Sequence, residues 1–137
     1  MSGRIAGGAH LMALGWGLTL TGAPPAMAAE SYICVFTQEC IGAQPCDTDI
    51  RLSATLGHAG GTWSMTGDDI DNPIRFDELR GAGNGGLRLV STGLDPDAGA
   101  TAMLSIFPGG QAFLSTHGNF PTPGVVTHLG ICTPRGD

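Results

Sequence analysis

The chain has no lysine, and its six arginines stand against twelve aspartates and glutamates. A net charge of −6 repels a phosphate backbone and so disfavours nucleic-acid binding. Anionic membrane surfaces are disfavoured for the same reason. There is no Gly-x-Ser-x-Gly elbow and no His-Glu-x-x-His, so the local signatures of a serine hydrolase and a zinc protease are missing. Aromatic residues are few, and helical periodicity is almost absent. The one extended apolar run, Leu11 to Ala23, is broken by glycines and too short for a permanent membrane span.

That run has an address-like setting. Arg4 precedes it, Pro24-Pro25 follow it, and Ala26-Met27-Ala28 supplies the small residues of a cleavage site. This is the three-part pattern of a secretory signal, so residues 1–28 are expected to be a signal peptide and 29–137 a single exported domain, periplasmic or secreted. Removing 28 of the 137 residues leaves 109, enough for one small domain. With five arginines against twelve acids, that part carries a net charge near −7, which keeps an exported protein soluble.

Three of the four cysteines lie between Tyr32 and Asp47, and the fourth, Cys132, lies near the C-terminus. In an oxidising compartment an even set of thiols pairs. Cys34 sits in a strand-like segment, while Cys40 and Cys46 bracket Gly42-Ala-Gln-Pro45. The favoured connectivity is therefore Cys34–Cys132 with Cys40–Cys46. Five residues between successive cysteines fit poorly with the closely paired ligands that zinc requires.

The rest reads as strand and turn. Ile50, Leu52, Ala54 and Leu56 alternate with polar residues, as do Trp63 and Met65, and His58–Gly61 lies between them as a turn. Gly67–Pro73 reads as a polar loop, and Ile74–Leu79 as either a short edge strand or one helical turn. Gly81–Gly86 is a glycine-rich loop, Leu87–Thr92 a strand and Leu94–Gly99 a turn. Ala100–Phe107 and Gln111–His117 flank Pro108-Gly-Gly110 as a tight hairpin, and Val125–Cys132 closes the domain. About seven or eight short strands with regular turn signals predict an all-β fold, a small antiparallel sandwich or barrel stapled by disulfides.

Chemistry-bearing residues are sparse. His58, His117 and His128 are isolated, and simple hairpin register places His117 near Val125 and His128 near Leu114, on opposite faces. Glu39, Asp77 and Glu78 are the candidates for an acid/base pair of glycoside chemistry. Asp69 and Asp71 have the alternating spacing of calcium ligands, but Pro73 stands where the third oxygen ligand belongs. Asp95 and Asp97 form a second such pair. The expected function is a non-enzymatic binding module, in one form a protein inhibitor, that uses its loops and needs no cofactor. Its candidate contact residues are Asp68, Asp69, Asp71, Asn72, Asn119 and Phe120, in the loops Gly67–Pro73 and Asn119–Gly124, with Gly81–Gly86 as a third loop. A basic protein, such as a hydrolase to be inhibited, suits the charge. The alternative is a calcium- or small-ligand-binding exported protein, and the third reading a small hydrolase.

Overall fold

The computed structural model describes residues 31–80, 85–95, 99–119 and 123–136. The expected signal peptide lies outside them. Eight strands follow one another: β1 (Ser31–Ile41), β2 (Leu52–Ala59), β3 (Thr62–Gly67), β4 (Ile70–Glu78), β5 (Leu87–Asp95), β6 (Ala100–Ile106), β7 (Gln111–Asn119) and β8 (Pro123–Pro134). Each pairs antiparallel with the next, and β8 returns to β1, so the sheet closes as an up-and-down barrel. Of the two predicted architectures it is the barrel that forms. Closure matters because it leaves no outermost strand to template association.

Alternation fills the interior. Phe36, Leu56, Met65, Phe76, Leu89 and Leu104 are completely buried inside the ring. An eight-stranded barrel has an interior narrow enough for side chains to fill, and here these residues pack into it as the core. Cys34 and Cys132 face each other across the β1–β8 seam and are joined there, while Cys40–Cys46 closes the connection after β1. Both predicted disulfides form. Disulfides of this kind belong to an oxidising environment.

Local chemistry explains most boundaries. The β2–β3 turn is Gly60-Gly61 alone, both at positive φ (59° and 83°), as a two-residue hairpin turn requires. The predicted hairpin of β6 and β7 forms, and β7–β8 takes the predicted register, with His117 opposite Val125 and Leu114 opposite His128. One expectation is corrected. Gly67–Pro73 is not a loop, because only Asp68-Asp69 turn and Ile70 already pairs with Gly67 as the start of β4. Ile70, Ile74 and Phe76 carry a period-2 apolar pattern onto the core, which outweighs the turn preference of the intervening Asp, Asn and Pro. Ile74–Leu79 accordingly continues a strand and contains no helical turn.

The meander gives the barrel two rims. Ser31, Gly60-Gly61, Leu79-Arg80, Gly85-Gly86, residues 107–110 and Pro134 share one, here the terminal rim. The β1–β2 connection, Asp68-Asp69 and the facing ends of β5–β6 and β7–β8 share the other, here the loop rim.

Candidate functional site

At the loop rim the chain is most constrained and most acidic. After Ile41 it turns back, and Asp47 pairs with Glu39 through two backbone hydrogen bonds, of 2.9 Å from the Glu39 N–H and 2.7 Å from the Asp47 N–H. The Cys40–Cys46 disulfide locks this return, and the Asp49 N–H donates to Asp47 Oδ1 at 2.8 Å. The returning segment thus covers the edge of β1 where β1 outruns β2, whose pairing ends at Phe36↔Leu52. Asp47 and Asp49 project from this stapled loop into solvent, and Asp68, Asp69 and Asp71 are exposed two strands away on the same rim. Neighbouring strands are about 4.8 Å apart, so the two acidic turns lie within roughly 10–15 Å of each other. Arg51 is the one basic residue in these two connections.

Below the stapled loop, a register shift between Phe36 and Gln38 inserts Thr37 as an extra residue, so Glu39 rather than Gln38 faces inward. Glu39 Oε2 lies 2.8 Å from His128 Nε2 across the β1–β8 seam, with the Phe36 ring edge-on to the imidazole at 6.2 Å. His128 Nδ1 is buried without a partner. Sequence reasoning missed this pair because the two residues are 89 positions apart and the bulge reverses the alternation that would have placed Glu39 outside.

The terminal rim is plugged differently. Trp63 is buried there, its Nε1–H donates to Glu78 Oε2 at 3.3 Å, and it packs against the rings of Tyr32 and His58. Burial, and secondarily the Glu78 carboxylate, push the Tyr32 hydroxyl above the usual phenol range. Glu39 and Glu78 therefore face opposite rims with the core between them, and Asp77 projects outward from β4. No two of these three carboxylates meet as an acid/base pair. His117 accepts or donates a 3.1 Å hydrogen bond with Ser115 Oγ on the outer wall, where no carboxylate joins them among the described residues. All four cysteines are in disulfides, so no thiol nucleophile exists.

Of the sequence-predicted contact residues, Asp68, Asp69, Asp71, Asn72 and Asn119 share the loop rim, while Phe120 and Asp97 lie outside the described residues. Gly85 and Gly86 lie on the terminal rim, so the expected binding loops do not all share one end, and residues 81–84 lie outside the described set. Among the described residues no three His, Cys, Asp or Glu side chains gather as a metal site, and Asp69 and Asp71 find no third ligand.

Two further features escaped the sequence reading. From 98 to 134 the chain contains no Asp, Glu, Lys or Arg, so β6, β7 and β8 carry none of them and the described acids lie on the other strands and the loop rim. That signal was available to simple inspection. The second is a cleft of about 450 Å³ in the barrel wall between β4 and β5, lined by Asn72, Ile74, Phe76, Ser91, Gly93 and Leu94 among others. Nothing in the local pattern announces it. No known protein family, curated protein or solved structure matches this chain.

Proposed function

We propose that the protein is a non-enzymatic binding module, exported to the periplasm or beyond, that recognises a basic protein through its loop rim. The observation that carries this reading is the stapled loop. A short connection held by a disulfide, two ladder hydrogen bonds and an Asx turn presents Asp47 and Asp49 in one fixed geometry beside Asp68 and Asp69. Such preorganisation lowers the entropy that association costs, which a loop serving only as a connection does not need. The side chains packed inside the barrel favour recognition on its outside. Clustered exposed acids attract a basic surface, raising the association rate and excluding acidic partners. Inhibition of a basic exported hydrolase is the form of this activity that fits best.

The test compares the oxidised protein with a D47N/D49N/D68N/D69N variant, measuring association with a panel of basic hydrolases at low and physiological salt. The reading expects at least one hydrolase to be bound and slowed by the parent. Its association rate should fall about tenfold or more in the variant and with added salt. Equal binding by parent and variant, or none to any basic protein, overturns it.

A further inference from the structure

One broad face of the barrel turns apolar side chains outward. Alternation sends Cys34, Cys132, Leu114 and Leu104 into the core. Ile33 and Val35 of β1, Leu129 and Ile131 of β8, Phe113 of β7 and Met103 of β6 therefore point away from it. The ladders make them neighbours: Val35 lies opposite Ile131 and Phe113 opposite Leu129, with Ile33 and Met103 on the diagonals. Ile131, Ile33, Met103 and Phe113 are 50%, 46%, 43% and 40% exposed. Among the described residues, the other exposed large apolar side chains are Ile41 and Leu79, which lie off this face. No Asp, Glu, Lys or Arg occurs from 31 to 38 or from 99 to 134. Arg88, at the β5 border, lies over the Phe107 ring at 5.1 Å from its centroid, and that ring packs edge-on against Phe113. The far wall differs, with Ser53, Thr66, Arg75 and Asp77 exposed there.

We infer that this face is where a second copy of the chain docks, wall against wall. Four strands about 4.8 Å apart, each with about nine residues of 3.3 Å, give a face of roughly 600 Å². That is a large apolar patch for a monomer to leave in water. It is also the area per copy at the lower end of specific interfaces, about 600–1,000 Å². Charge selects the occupant. Each copy carries a net charge of −6, so two copies repel wherever their acids face one another. This face lets them touch without opposing like charges. A basic partner finds no acid on it, and a bilayer spanned by the barrel would need an apolar belt where Arg75 and Asp77 stand exposed. A dip of about 290 Å³ at its terminal end, lined by Phe107, Pro108, Ile131 and Pro134 among others, can seat an apolar side chain of the facing copy. Because the closed barrel has no free edge, the two sheets meet through side chains, as in a sandwich, and the same patch serves twice. The rims stand at the barrel ends, so both loop rims stay open in the pair. The inference does not depend on the loop-rim reading.

The test is sedimentation equilibrium of the oxidised protein from about 1 μM to 1 mM, at low and high salt, with amide NMR shifts followed on dilution. A dimer is expected, held or tightened by salt because screening weakens the repulsion between copies. Dilution shifts should fall at 33–35, 103–105, 111–115 and 129–133. Ile131→Arg and Phe113→Arg each place a cation in the contact of both copies, and should weaken the dimer about tenfold or more at unchanged Tm. Ser53→Arg, the same charge change on the far wall, should leave it unaltered. If a wall variant lowers Tm, Ile131→Thr, which keeps the β-branch, replaces it and should still loosen the dimer severalfold. A monomer at every concentration, a dimer that I131R leaves intact, equal weakening by S53R, or dilution shifts at the acidic turns overturns the inference. So does a monomer that partitions onto phosphatidylcholine vesicles, which would give the face to lipid. The loop-rim reading fails separately, if the four-Asn variant binds its basic partner undiminished.

Discussion

Cutting the two disulfides separately should show that they stabilise the barrel very unequally. Cys34 and Cys132 are 98 positions apart, whereas Cys40 and Cys46 are six apart. In the chain-entropy account a loop near 100 residues is worth about 4.7 kcal/mol, and one of six or seven residues about 2.4. A second term widens the gap. Cys34 and Cys132 are 0% and 1% exposed, so C34A/C132A also removes two buried sulfurs, at about 1 kcal/mol each, while Cys40 is only partly buried and Cys46 exposed. The long clasp should therefore cost about 6–7 kcal/mol and the short one about 2, against a total of roughly 5–15 for a domain. Urea unfolding read by the fluorescence of Trp63, buried on the terminal rim, measures both. With a slope near 1–1.5 kcal/mol/M, C40A/C46A should lower the midpoint by about 1.5–2 M. C34A/C132A should leave little or no folded baseline at 37 °C. Equal losses from the two variants would refute the argument and assign barrel closure to the β1–β8 ladder alone.

Three further outcomes are expected. A Cβ at Gly130 would fall on the Val35 carbonyl oxygen and 2.6 Å from Phe36 Cα, so Gly130→Ala must push β8 off β1. A loss of about 1–3 kcal/mol or more in urea unfolding is expected. The Tyr32 hydroxyl has its pKa raised by burial and then by Glu78, so the folded state holds this proton more tightly than the unfolded chain. Its contribution is complete below pH 10 and is lost as pH rises through the folded value, so Tyr32→Phe should flatten the alkaline decline of Tm. Calcium at millimolar concentration should leave Tm unchanged, since among the described residues Asp69 and Asp71 have no third ligand; a shift reversed by chelator would restore the calcium reading.

What could be read from the sequence was whatever local chemistry determines. Alternation at Ala54–Leu56 and Trp63–Met65, the Pro108-Gly-Gly110 hairpin and the pairing of cysteines at opposite ends of the domain all follow from periods, turns and spacing, and all are present. In Ile70-Asp-Asn-Pro-Ile74 two local signals conflicted, the turn residues and the apolar period. The sequence offered no way to know that Phe76 and Ile74 would be held by the core. The Glu39–His128 pair depends on a bulge and on a ladder between chain ends, neither written in any short window. The stapled loop was visible as a disulfide, but its hydrogen-bonded return onto Glu39 was not.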